Sequence, residues 1–482
     1  MQSLINKKIT KGIIMKILFI IPPITFNLRW NSDNTSYPPL GICAVAATIK
    51  EDHEVKILDA NILKLSKRNI LETIKTFNPK IIGISCNATI MRKTVYELCN
   101  SIKKQQDTTI IVGGNDASNN PESLLNECKS IDIVTYGEAD FTVQDLLKNL
   151  SCLESVNGIV YRKENKIIKN SPREKIKNLD SLPFPAIELL PDIKKYHISF
   201  KYKRLPSINI ITSRGCPHTC LFCAVKQSGY HYHSPKYVYE YMKYLREELG
   251  IKEVTIFDDN FALINSRVEQ ICDLIIENKL DITWSCLATI MSLQNNENLI
   301  KKMKQAGCWY IFFGLESANK QVLEKNNITK IPDLLTVKKV IGWCKKYKIQ
   351  VKGSFIIGLP GDTESTIEET ISFAKSLPLT AVNFSFPVPH PGSSFYDIAI
   401  QSGTFNHDDY ENMSSHSSIP VYAPQGISLE WLKKRQKQAY KEYYFRPAFI
   451  LRQVLSIKSF EDIKRYTKIG TLYAKKVFIH DF

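Results

Sequence analysis

Residues 211–225 read ITSRGCPHTCLFCAV. They begin in a segment, 208–212, whose isoleucines suit a strand, so Cys216, Cys220 and Cys223 fall in the loop at that strand's C-terminal end. In α/β barrels this is the end that carries chemistry. Three closely spaced thiolates can wrap one metal centre, and a cubane of four irons needs four ligands. Three local ligands therefore leave one iron open to a substrate. A zinc site is the alternative, because Cys3His is a common donor set and His218, His231 or His233 offers a fourth ligand.

Outward from this loop the chain repeats strand and helix. Further strands are expected at 253–257, 283–287, 309–314, 351–357 and 381–386, and six such units predict a partial barrel over 201–403. The strand ends carry polar groups. TIFDDNF closes a strand at Asp258 and Asp259, and WYIFFGLES closes another at Glu316. VKGSFIIGLPGDTEST puts Gly358, Pro360 and Gly361 after a third, with Asp362 and Glu364 at the next helix start. The carboxylates suit an ammonium group or ribose, and a tight glycine turn lets backbone amides approach a flat base. Each acid could equally cap the following helix.

The first 150 residues alternate in the same way, with strands expected at 16–21, 55–59, 81–85, 109–113 and 131–135. That pattern predicts a flavodoxin- or Rossmann-like domain over 1–150. Its strand ends read PPITF (22–26), SCNAT (85–89), GGNDAS (113–118) and YGEAD (136–140), and YPPLGI (37–42) lies at a helix start. Hydroxyls and glycine amides there could hold a nucleotide tail; ordinary tight turns would look the same. GIVYRKENKIIK (158–169) predicts a hairpin, and LDSLPFPAIELLP (179–191) a proline-rich linker, together filling 151–200. Residues 404–482 read as helical and basic, with a lid as the preferred role for 428–482.

The 482 residues carry 64 Lys and Arg against 48 Asp and Glu, a net +16, with 44% hydrophobic content, enough for two or three buried cores. The lysines are scattered rather than clustered, which argues against a nucleic-acid surface. No secretory signal or membrane-spanning run is visible, and twelve cysteines without export signals suit a reducing, cytoplasmic setting.

The spacing CxxxCxxC, with Phe222 just before the last cysteine, resembles the signature of the radical S-adenosylmethionine superfamily. The resemblance implies a 4Fe-4S cluster on Cys216, Cys220 and Cys223. Its open iron would chelate S-adenosylmethionine, and an electron from an external flavodoxin- or ferredoxin-type reductant would release a 5′-deoxyadenosyl radical. Phe222, Asp258, Asp259, Glu316, Gly358, Pro360 and Gly361 are then the expected S-adenosylmethionine contacts.

The order PPLG, a GG turn, GE, LPFPA and the triplet, with YYFRP at 443–447, is similar to the cobalamin-binding branch over roughly residues 15–450. On that likeness Tyr37, Leu40, Gly41, Ser85, Asn87, Thr89, Gly113, Gly114, Gly137 and Glu138 are expected near cobalamin. No DxHxxG motif is present, so the implied cobalamin lacks a histidine ligand from below. Two departures stand out. Asn115 and Asp116 follow the GG turn where relatives often carry histidine or proline, and Thr289 stands where many carry arginine, leaving Arg214 as a substitute for carboxylate recognition.

The implied reaction is methyl transfer to an unactivated carbon of a small-molecule substrate. Alternatives are oxidative ring closure, as in the magnesium-protoporphyrin monomethyl ester cyclases, and transfer-RNA methylthiolation with Cys43, Cys86 and Cys128 on a second cluster. A zinc-dependent binding module is the non-enzymatic reading.

Overall fold

Short apolar runs become strands here because both faces of the sheets they join are buried. All five residues of Ile81–Ser85, for example, are buried. The structure, a computed structural model, describes residues 14–23, 37–164, 166–196, 202–223, 225, 229–390, 393–406, 413–414 and 419–455, with 467 and 471. Residues 24–26 of the PPITF turn and most of the chain after 455 lie outside that set.

In the first unit, β1 (Lys16–Ile21), β2 (Glu54–Asp59), β3 (Ile81–Ser85), β4 (Thr109–Gly113) and β5 (Ile133–Thr135) run parallel in the order β2-β1-β3-β4-β5. This is the flavodoxin-like order, whose reversal point lies between β1 and β3. Leu18, Ile20, Ile82, Ile84, Ile110 and Val112 form the sheet's share of one core, against Val95, Leu98 and Ile102 of the helix Arg92–Gln105.

The expected hairpin is present as β6 (Ile159–Lys163) and β7 (Lys166–Lys169), but it is not a connector. It pairs antiparallel with β5 and extends the same sheet to seven strands, covering an edge that would otherwise be open. The first unit accordingly runs to Ile176, past the expected boundary at 150, and takes in Leu182–Pro191, where Ala186 N donates to Cys43 O at 2.9 Å.

The second unit holds β8 (Ser207–Ile210), the two-residue strands β9 (Ser213–Arg214) and β10 (His231–Tyr232), then β11 (Glu253–Ile256), β12 (Thr283–Ala288), β13 (Cys308–Glu316), β14 (Gln350–Ile356) and β15 (Ala381–Ser385). Six of these form one parallel sheet in the order β8-β11-β12-β13-β14-β15. Every step goes to the next neighbour, so right-handed crossovers put all helices on one face and the sheet curls into a partial barrel instead of reversing.

The open edge at β15 is closed by the helix Leu429–Tyr444. Gln436, Tyr440 and Tyr444 share one helix face. Tyr444 accepts from Val382 N (2.9 Å) and donates to Val382 O (2.8 Å). Tyr440 accepts from Phe384 N (3.0 Å), and Gln436 donates to Phe384 O (2.7 Å). This part of the C-terminal region is a fixed edge cover, which corrects the lid reading for these residues. Among the described residues, no helix is long and apolar enough to cross a membrane.

Candidate functional site

The cysteine loop leaves β8 and is closed at its neck by a two-residue ladder, Ser213–Arg214 against His231–Tyr232. Within the triplet, Cys223 N donates to Cys220 O (3.1 Å). Other anchors come from distant parts of the barrel. Leu221, with Phe222 beside it, enters an apolar cluster with Phe395, Ala399 and Tyr422. Leu221 N donates to Asn326 O (2.9 Å), and His218 Nδ1 lies 3.1 Å from Thr329 Oγ1.

Cys220 is buried, and Cys216 and Cys223 are half-buried. Burial pushes all three thiols up, Cys220 to about 11, while the Lys330 ammonium pulls each of them down. Each cysteine lies within electrostatic reach of at least one other. Among the described residues, no three His, Cys, Asp or Glu side chains converge as tightly as a single ion requires. A cubane makes no such demand, because its thiolates bind separate irons, so this donor set fits three corners of a 4Fe-4S cluster. Beside the loop, His218 lines a cavity of about 380 Å³ with Leu263, Asn265, Met291, Ser292, Gln294 and Asn295.

The two aspartates after β11 have different environments. Asp258 is fully buried and accepts from Thr212 N (2.5 Å), Thr212 Oγ1 (2.6 Å) and Ser213 Oγ (2.7 Å). Its carboxylate is spent holding the entry to the cysteine loop, so the expectation that it faces a ligand is corrected. Asp259 points outward, with the Gly215 amide on it. It is the carboxylate of this pair that a ligand can reach. The next residue, Asn260, is buried and bonds Thr289 Oγ1 (3.3 Å) and Ser292 Oγ (3.0 Å), so Thr289 caps a short helix as part of a neutral polar network.

Glu316 sits where the β13–β14 ladder slips, with φ at +46°, and the bulge re-aims its side chain. Lys330 Nζ donates to Glu316 Oε1 at 2.6 Å. In the glycine turn, Gly358 N and Leu359 N both donate to Asp362 Oδ2 (2.9 Å each). Those amides are therefore not offered to a base as expected, and Asp362 sets the shape of the turn instead. Pro360 O accepts from Asn326 Nδ2 (2.9 Å), and Leu432 packs so closely over Gly358 that a Cβ there would lie 2.9 Å from Leu432 Cδ1. Gly361 lies under the side chain of Lys325.

In the first unit, Ser85 and Asn87 bond each other (Nδ2 to Oγ, 3.0 Å) at the end of β3. Gly113 and Gly114 follow β4. Gly114 has φ +123°, and a Cβ on it would lie 2.6 Å from both Asn87 Oδ1 and Cys86 O, so only glycine fits. Thr89 faces inward, with its hydroxyl on Asp116 (2.9 Å), and Asp116 also takes Arg92 Nε at 2.7 Å; both carboxylate and guanidinium are buried. Gly137 N donates to Ser118 Oγ (3.2 Å), and Glu138 accepts from Ile176 N (2.8 Å). Leu40 and Gly41 open the helix Leu40–Ala47. Tyr37 belongs to the second unit, where its ring meets Phe257 edge-on at 5.3 Å. Asn326, Thr329 and Lys330 carry no sequence signal; they lie in an ordinary polar connection.

Two family models match the chain, the B12 binding domain over residues 31–147 and the radical SAM superfamily over 210–374. An uncharacterized methyltransferase of Pyrococcus horikoshii is 32% identical over 93% of this chain and 96% of its own length. The anaerobic magnesium-protoporphyrin IX monomethyl ester cyclase of Rubrivivax gelatinosus is 23% identical over 90% of this chain and 78% of its own. The fold is similar to that of the radical S-adenosylmethionine methyltransferase TsrM from Kitasatospora setae, solved with cobalamin and a 4Fe-4S cluster (TM-score 0.69, 15% identity, 90% of each chain). It is also similar to that of the cobalamin-dependent radical enzyme OxsB (TM-score 0.73, 17% identity, 96% of this chain and 72% of that one). The B12 match on a flavodoxin-like sheet, the radical SAM match on a six-stranded partial barrel, and a relative similar over nearly its whole length together place the chain in the cobalamin-binding, methyltransferase-type radical S-adenosylmethionine enzymes, whose cofactors are S-adenosylmethionine, a 4Fe-4S cluster and cobalamin.

Proposed function

We propose that the chain transfers a methyl group to an unactivated carbon of a small-molecule substrate, with its cluster on Cys216, Cys220 and Cys223. The observation that carries this reading is the full-length similarity to a protein named as a methyltransferase, combined with a three-thiol loop at a barrel strand end. When bound, the cluster and S-adenosylmethionine supply the radical that opens a C–H bond, and cobalamin supplies the methyl group. The chain's own work is to hold and enclose. Asp258 fixes the loop entry, Asp259 and Glu316 offer carboxylates to the ammonium and ribose, and Asp362 fixes the Gly358–Gly361 turn at the side expected to meet the base. Ser85, Asn87, Gly113 and Gly114 form the candidate cobalamin rim of the first unit. Holding reactants in one geometry and excluding water keeps a radical aimed.

The test is anaerobic reconstitution with iron, sulfide and hydroxocobalamin, followed by assay for deoxyadenosine. Wild type is expected to hold about four irons per chain and to release deoxyadenosine with a low-potential donor. Cys220→Ala is expected to lose both. A colourless, zinc-loaded wild type would sink the proposal. A second reading, oxidative cyclisation, is favoured by the cyclase relatives; deoxyadenosine without methylated product would select it.

A further inference from the structure

The segment 326–330, NNITK, lies between the helices Lys320–Lys325 and Leu334–Lys346 and is itself neither helix nor strand. Its groups nonetheless reach four parts of the site. Asn326 holds Leu221 of the cysteine loop and Pro360 of the glycine turn, Thr329 meets His218, and Lys330 O accepts from Met291 N (3.2 Å) after β12. The fourth part, the end of β13, is reached by the Lys330–Glu316 ion pair at 2.6 Å, with side chains 16% and 6% exposed. An enclosed pair of this kind carries a desolvation cost that a hydrophobic pair would not.

Two neighbours fix where the ammonium sits. A Cβ on Gly314 would collide with the Glu316 carboxylate and lie 2.9 Å from Lys330 Nζ, so the pair lies directly over the strand. On the loop side, the ring of Phe222, adjacent to Cys223, is centred 5.9 Å from Nζ. The ammonium thus sits at once on the Glu316 carboxylate and against the Phe222 ring of the cysteine loop.

We infer that Lys330 is a positioning residue for the cluster: a fixed ammonium, locked by Glu316 over Gly314, that places one positive charge beside the cysteine loop and favours the reduced state of the centre held there. This rests on the assignment of the cluster to Cys216, Cys220 and Cys223. Reduction adds one electron from the external donor to the centre, and a nearby cation stabilises the added charge in a low-dielectric site.

The experiment uses the full chain reconstituted with iron and sulfide, without S-adenosylmethionine or cobalamin. The midpoint potential is read by electron paramagnetic resonance during titration with dithionite and mediators. Lys330→Met is expected to lower the equilibrium constant for reduction by about tenfold, a negative shift of ~59 mV for a one-electron couple, and Lys330→Arg to restore it. An unchanged potential in Lys330→Met at wild-type iron content overturns the inference. Should that variant fail to take up iron, Glu316→Gln carries the test. Removing the neutralising carboxylate must shift the potential positive, and an unchanged or negative value overturns the inference. Iron and sulfide content of the wild type tests the cluster assignment separately; a wild type without iron removes both.

Discussion

The two sheets present their strand ends in different ways. In the first unit, the buried charges beneath the GG turn are closed within neighbouring strand–helix units: Asp116 takes Thr89 and Arg92, 27 and 24 residues away in sequence. In the second unit, the cysteine loop has one short ladder at its neck and depends on Asp258, 46 residues from Thr212, and on Thr329, 111 residues from His218. The first rim is self-supporting. The second takes its shape from parts of the barrel that the chain supplies much later, so the cysteine loop's geometry reports whether the barrel has closed.

Two substitutions test that difference. Arg92→Met strands the Asp116 carboxylate and is expected to cost about 3–5 kcal/mol in the first unit's unfolding transition. Iron content should stay at the wild-type level below that transition. Asp258→Asn leaves one acceptor where the loop offers three donors and is expected to cost less, about 2–3 kcal/mol, yet to lower iron retention. Denaturation curves and iron analysis on the same samples decide the matter. If Arg92→Met loses iron as readily as Asp258→Asn, the contrast between the rims fails.

This contrast also explains what the sequence could reveal. The strands are legible because burial on both faces writes them as unbroken apolar runs, as in 81–84 and 110–112. The triplet was legible because its spacing is local. Asp258 and Asp259 were not separable, because adjacent residues of one motif differ only in which neighbour's amides and hydroxyls they meet after folding. The Gly358 turn is legible, but the direction of its amides is not, because Asp362, which takes them, reads equally as a helix cap. The hairpin is legible and its partner is not, since β5 joins it only through long-range pairing. Asn326, Thr329 and Lys330 acquire meaning only through contacts with distant segments.

The glycine turn gives the second rim a pH dependence. Burial pushes Asp362 up from its ordinary 3.8 to about 6, although three donors hold the charged form. Because the folded value is the higher one, the folded chain holds the proton more tightly. The stabilisation is full below about pH 4 and is lost as pH rises through about 6, on the order of 3 kcal/mol. Asp362→Asn keeps an oxygen for the two amides and removes the proton. The stability difference between metal-free wild type and this variant, followed by denaturant from pH 4 to 7, should therefore move in the variant's favour as pH rises. A constant difference would show that the turn tolerates the charge without cost.

The smallest effect concerns how each sheet ends. In the first unit the edge at β5 is closed by backbone, through the antiparallel ladder to β6 and on to β7. In the second, β15 is closed by side chains, and Tyr444 alone serves both the N–H and the C=O of Val382. A phenyl ring in place of Tyr444 keeps the packing against Tyr443 and Phe449 and removes only the hydroxyl. Tyr444→Phe is therefore expected to cost about 1 kcal/mol, with faster hydrogen exchange at the Val382 amide. Exchange at Val134 and Val160, paired across β5 and β6, should not change. Protection at Val382 that survives the substitution would mean that water is excluded there by the helix itself, and the tyrosine face would then be packing surface rather than a substitute strand.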